Sequence, residues 1–513
     1  MKLCTELHTL FVSNCPGILS LPHVLGDMEK LTRLGWRNGS LRFLDPKGLP
    51  SNILHLILTN NRIERFGLGG KRGEKKVQDV GIEIDDDNND DHSYPINSDE
   101  LEVYYKLKNV RKLMLSHNQL KRLHGDGLKH LRNLELIRIA NNQLDSVPDE
   151  LWTLPNLAWV TISGNPVLVP FGRTKRMSSS LELRLTFPNV PRVHIDQMMT
   201  KGIHLGEGAS GTVSLYQWKG KDVAVKIIKG VTSDGKAEDE ITAYASIAKG
   251  RSSGKRSNNH DSDMEVSRIV GCIALLTRDN SIDVSSGESG SIRGGKDGSG
   301  GTIIKEEIPY GIVMESMSND FRDLAEPPTI VEITKDRWKD DGTYSLTSSL
   351  SSSSSPYTPS FVWNVLHDVS TALLYLHGTI GFAHGDVYAH NIKVHSKTGR
   401  AFLLDLGASY ATGSYAEEAE KVEVRAFGIL VGELILRMIT TRTTTKTGED
   451  GNDFLVAEKR EIDGDDDNAP VGMEFRNELE GLRNLCMSMD VKSRISFAKI
   501  VEVLDKYKLQ KMV

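Results

Sequence analysis

One spacing dominates the first third of the chain. Val110, Leu113, Leu115, Asn118 and Leu120 follow the order L-x-x-L-x-L-x-x-N-x-L. Leu134, Ile137, Ile139, Asn142 and Leu144 repeat it 24 residues later, and Leu157, Val160, Ile162 and Asn165 after a further 23. Upstream, Ile53, Leu56, Leu58, Asn61 and Ile63 give another copy, and two weaker ones place Gly39 and Cys15 at the asparagine position. The apolar alternation predicts a short strand and a turn per unit, too little to bury an apolar face alone. Six such units must therefore stack, with Leu and Ile in a shared core and each asparagine satisfying backbone groups at the bend.

The pattern resembles that of leucine-rich-repeat proteins, which implies a solenoid over residues 1–172 whose concave face recruits a protein partner. Asn61 and Asn118 are 57 residues apart, more than one period by about 34, and the excess coincides with a polar segment at about 67–100. Its run from Glu83 to Asp91, with Ile84 as its one apolar residue, reads as a solvated acidic loop, without the glycine and terminal glutamate of an EF-hand. Residues 173–192 read as a cap and linker.

At 513 residues the chain exceeds one ordinary core, so further domains are expected. A formal charge of -6 gives no whole-chain attraction to nucleic acid or an anionic membrane. Four scattered cysteines have neither disulfide-framework nor zinc-ligand spacing, which fits a reducing, cytoplasmic compartment. Glu6 and His8 break what would be the apolar core of a signal peptide, and no run reaches the roughly 18 to 20 apolar residues of a membrane helix.

A different grammar begins near Val193. Gly206, Gly208 and Gly211 form G-x-G-x-x-G between two strand-like runs, and Val-Ala-Val-Lys ends at Lys226. A dinucleotide-binding loop would have a helix after the third glycine, whereas the sequence after Gly211 is β-branched and alternating, so a hairpin over phosphates is predicted. The helical segment that follows offers Glu240 as a partner for Lys226. Farther on come His384, Asp386 and Asn391, then Asp405 and Gly407 at the end of an apolar strand. Serine-, glycine- and acid-rich excursions are expected at 250–263, 279–301, 340–359 and 440–468, without order of their own.

These motifs resemble the catalytic core of eukaryotic protein kinases over 193–509, with H-x-D-x-x-x-x-N and D-x-G in the family's order. The resemblance implies a multidomain α+β protein in which the repeat solenoid precedes a bilobal kinase-like fold with disordered insertions. It also implies ATP and Mg²⁺ as ligands. By resemblance, Asp386 accepts the acceptor proton, Asn391 and Asp405 hold metal, and Lys226, kept in place by Glu240, fixes the phosphates. Gly206, Glu207, Gly208, Gly211, Val213 and Ala224 would bind the nucleotide, while Met314 would border the adenine pocket and Glu315 to Met317 would form the hinge.

Three features depart from the family. Gly385 replaces its arginine, Tyr388 stands where serine/threonine kinases commonly have lysine, and only 18 residues separate Asp405 from Glu423, which aligns with the aspartate of the family's buried helix. One of Glu417 and Glu418 is expected to satisfy Arg494. Two functions follow from the resemblance: a serine/threonine kinase with a repeat module for partners, or a pseudokinase scaffold. Retention of Lys226, Asp386, Asn391 and Asp405 together favours the enzyme.

Overall fold

The computed structural model describes residues 4–67, 96–168, 187–199, 202–208, 210–230, 235, 237–253, 267–283, 303–329, 336–338, 357–438, 441–447, 453–459 and 469–511. The repeat region contributes β1 (Thr9–Ser13), β2 (Arg33–Arg37), β3 (Phe43–Leu44), β4 (His55–Ile57), β5 (Arg65–Phe66), β6 (Lys112–Met114), β7 (Leu136–Arg138) and β8 (Trp159–Thr161). All but β3 and β5, which pair with each other, form one parallel sheet in the order β1-β2-β4-β6-β7-β8. Each strand of this sheet is only three to five residues long, so the layer is held by what lies beneath it. The repeated Leu and Ile residues, from Leu34 to Ile162, fill one continuous buried core.

The asparagines explain the period. Asn118 Oδ1 accepts from Ile63 N at 2.9 Å, while its Nδ2 donates to Leu58 O and Leu115 O at 3.0 and 2.9 Å. Asn142 does the same for Leu120 N and Leu115 O, and Asn165 for Leu144 N and Ile139 O. Each buried amide thus pairs backbone groups of its own turn with those of the preceding one, which a buried bend requires. Asn61 makes the same two bonds to the preceding turn, to Leu41 N and Trp36 O, although that turn carries Gly39 in place of an asparagine.

The second region opens on a six-stranded sheet made of β9 (Arg192–His194), β10 (Ile203–Glu207), β11 (Gly211–Trp218), β12 (Lys221–Ile228), β13 (Cys272–Asp283) and β14 (Ile303–Glu315). Its order is β10-β11-β12-β14-β13-β9, antiparallel throughout except for β9 on β13. The helix Ala237–Ser253 packs against β13 and β14. Beyond it lie β15 (Phe321–Asp323), β16 (Phe382–Ala383), β17 (Ile392–His395), β18 (Ala401–Leu403) and β19 (Tyr410–Ala411), in two small sheets among helices. The helix Pro359–Tyr375 starts with Thr358 capping Phe361 N at 3.2 Å and a proline in its first turn, and its chain turns at Gly381 in the left-handed region. The helices Ala416–Met438, Ala469–Cys486 and Phe497–Lys511 complete the region.

Several expected excursions carry regular structure. Strands β20 (Thr441–Thr447) and β21 (Asp453–Lys459) form an antiparallel hairpin within 440–468, where β-branched threonines favour extended backbone that composition alone concealed. Strand β13 continues to Asp283, opposite Ile303, the helix before it reaches Ser253, and Tyr357 is buried against Phe361. Likewise the helix Ser98–Lys106 begins inside the expected acidic insertion, capped by Asn97. The rest of those excursions, including 68–95, and of the linker at 173–192 up to 186, lies outside the described residues. Among the described residues no helix is long and apolar enough to cross a membrane.

Candidate active site

The glycine triplet lies in the β10–β11 hairpin, with Gly206 opposite Val213 and the turn closed by Gly208 N donating to Gly211 O at 2.9 Å. A Cβ at Gly211 would run into Ile227 O, but at Gly206 or Gly208 it would meet no protein atom within 4 Å. Glu207, on the same strand, pairs with Lys229 at 3.0 Å. Val213 is in turn opposite Lys226 on β12, and Ala224 is opposite Met314 on β14. Met314 and the partly buried Met317 join the core beside this strand, while Glu315 stands opposite Val223.

Lys226 is the focus. Its Nζ donates to Glu240 Oε1 at 2.5 Å and to Asp405 Oδ1 at 3.0 Å, joining strand β12, the helix Ala237–Ser253 and the turn after β18. Burial opposes the ammonium charge, yet the Asp405 and Glu240 carboxylates outweigh it and raise the lysine's pKa. Burial also opposes charge on Asp405, but Lys226 and the Gly407 amide hold it below its usual value. With one cation between two acids, Glu240 is pushed up by burial to about 7. Asp405 sits at φ 55° and ψ 84°, a left-handed conformation costly for a residue with a side chain, and accepts further bonds from Ser210 Oγ at 3.4 and 3.3 Å.

The loop carrying Asp386 is braced from all sides. Asn391 Nδ2 donates to Asp386 O at 2.8 Å and Oδ2 at 3.2 Å. Buried His384 bonds Leu404 O through Nε2 at 2.8 Å and accepts from Asp386 N through Nδ1 at 3.3 Å, tying this loop to the strand end that carries Asp405. Glu423, on the helix Ala416–Met438, accepts from Gly385 N and from His377 Nε2. Asp336 receives His390 N and Nδ1 at 3.0 and 2.7 Å, a support that no sequence motif announced.

The remaining partners come from the repeat region. Arg138 Nη2 on β7 meets Asp386 Oδ1 at 2.8 Å, with both side chains largely buried. Trp159 on β8 donates from Nε1 to Val387 O at 3.0 Å and stacks on Tyr388 at 4.2 Å and 6°. Lys112 on β6 lies 5.7 Å from the centre of the same ring, its pKa lowered to about 8 by burial and then by Arg138. Arg138 and Trp159 occupy the variable positions between repeated leucines, so the period that reveals the strands says nothing of them. The face expected to recruit a partner thus turns inward at β6, β7 and β8. Arg494 corrects another expectation: its guanidinium donates to Ser488 O, Lys421 O and Pro155 O at 3.0, 2.9 and 2.8 Å, with neither Glu417 nor Glu418. Backbone carbonyls, one from the repeats, take the place of a carboxylate because the shortened segment leads straight into the helix that holds Lys421.

Among the described residues no group of three or more His, Cys, Asp or Glu side chains could hold a metal ion, leaving Asp405 and the Asn391 amide as hard oxygen donors. Residues 108–167 match the Leucine rich repeat family model. A stretch of 66 residues, 13% of this chain, is 39% identical to part of a Dictyostelium discoideum protein named a "Probable serine/threonine-protein kinase". The match spans 5% of that relative's length. The chain is therefore a mixed α/β protein with a leucine-rich-repeat region and a local likeness to a kinase-named protein.

Proposed function

We propose that the chain is an ATP- and Mg²⁺-dependent protein kinase acting on serine or threonine, with a bilobal catalytic domain over 193–509 and a repeat domain over 1–172. The observation that carries this reading is Lys226 bridging Glu240 and Asp405, because a buried cation between two acids from separate elements is an arrangement suited to nucleotide phosphates. Lys226 would fix those phosphates, and Asp405 with Asn391 would hold the metal. Bound Mg²⁺ would supply neutralising charge at the phosphates. The open space at Gly206 and Gly208 suits close approach of the backbone to phosphate oxygens, and Ala224, Met314 and Met317 would line the adenine side. Asp386 would orient the acceptor hydroxyl and take its proton. A protein partner would be left the outer strands of the repeat sheet, where Phe11 is exposed.

A scaffold without transfer is the second reading, favoured by the ion pair that already engages Asp386. Purified full-length protein given labelled ATP and Mg²⁺ separates the two. The kinase reading expects label on the protein or on a generic serine/threonine substrate, with Asp386→Ala reducing it by about 1,000-fold or more. Equal labelling by the variant would sink the enzyme and leave the scaffold.

A further inference from the structure

The three departures from the kinase pattern meet at one surface. Gly385 has φ +78°, and a Cβ there would run into Ala408 O and crowd Val160 O of strand β8. Tyr388 lies flat against Trp159 of the same strand. The segment after Asp405 is short, and beside the Asp386 loop stand β6, β7 and β8 of the repeats. Gly385, Tyr388 and, through Tyr415 on Val147 N and Trp152, the short segment after Asp405 thus all meet the repeats, which occupy that side of the loop.

We propose that Arg138 is a positioning residue of the phosphoryl-transfer site, its guanidinium delivered by the repeat sheet to orient the Asp386 carboxylate and supply the cation that Tyr388 does not. This rests on the kinase reading. Asp386 is held at Oδ1 by Arg138 and at Oδ2 by Asn391, which fixes the carboxylate plane. Each oxygen keeps a second lone pair, so orientation leaves proton acceptance intact. Side-chain exposures of 11% and 16% place the pair away from bulk screening, where a fixed charge acts strongly on a reacting group.

The contact is built as core, unlike a lid. Leu136, Ala158 and Trp159 belong to the apolar cluster of the second region, while Ala383, Tyr410, Ala419 and Val422 belong to that of the repeats. Arg425 bonds Asn156 O and Oδ1 at 3.1 and 2.7 Å, and buried Arg494 bonds Pro155 O. Lifting the repeats away would expose apolar surface and strand buried polar groups together, which a reversible inhibitory contact avoids.

The test measures steady-state transfer and MgATP affinity for full-length wild type, Arg138→Gln, Arg138→Lys and Asp386→Ala, using variants whose thermal midpoints match wild type within a few degrees. Arg138→Gln is expected to lower kcat by about 100-fold while leaving MgATP affinity within about twofold, and Arg138→Lys to restore at least about a tenth of the wild-type rate. Arg138→Met repeats the test if the glutamine variant does not fold. Wild-type or faster transfer by the uncharged variant, with Asp386→Ala inactive, would overturn the inference and mark the contact as neutral or inhibitory. Absence of transfer by wild type itself would instead remove the kinase reading, and this inference with it.

Discussion

The two halves of the candidate site are built differently. Around Lys226, the side proposed to take the nucleotide, Ser210, Glu240 and Asp405 come from one region and meet it or each other through residue types fixed by their chemistry. Around Asp386, the side proposed to take the acceptor, Asp386, Val387 and Tyr388 meet Arg138, Trp159 and Lys112, side chains that project from repeats whose period does not specify them. A motif preserves the groups that handle charge, while the wall beside them is free to be rebuilt from another part of the chain. Departures such as Gly385 and Tyr388 then record what that wall touches.

If the wall is shared core, removing its anchor should cost as much as any core deletion. Trp159→Ala is expected to destabilise the whole protein by about 3 to 5 kcal/mol, read by calorimetry as a lower midpoint of a transition common to both regions. Two independent transitions in wild type, with only the repeat transition moved by the substitution, would break the comparison.

A smaller effect sharpens it. The buried imidazole of His55, on β4 beside Lys112, is held down to about 4 from 6.5, first by burial and then by Lys112, Arg33 and Arg111. A depressed pKa means that the folded protein binds fewer protons, so this stabilising contribution is full above about 6.5 and lost as pH falls toward 4. Denaturant titrations at the two ends of that window should show wild type losing on the order of 1 to 2 kcal/mol more than His55→Asn. Parallel losses would mean that the cationic inner face is hydrated in solution.

Legibility in the sequence followed the same division. The six repeat strands could be read because their apolar residues and asparagines recur at a fixed interval, and the meeting of Lys226 with Glu240 because a strand and a helix follow the glycine turn in sequence. Asp336, Arg138 and Trp159 could not, since each acts through a partner far along the chain and no local period marks it. Arg494 was misassigned to a glutamate because charge pairing is the simplest expectation for a buried guanidinium, whereas three carbonyls serve it here. The β20–β21 hairpin is masked in the sequence because serine, glycine and acidic residues set the expectation for its segment, whereas its threonines favour strands.

Under the proposed function, nucleotide handling is self-contained while the acceptor side depends on the repeats. Calorimetric titration of MgATP into wild type, Lys226→Met and Arg138→Gln tests it most directly. Binding by wild type is expected, with weakening by at least about tenfold in Lys226→Met and a change within about twofold in Arg138→Gln. Equal weakening in both variants, or no binding by wild type, would contradict it.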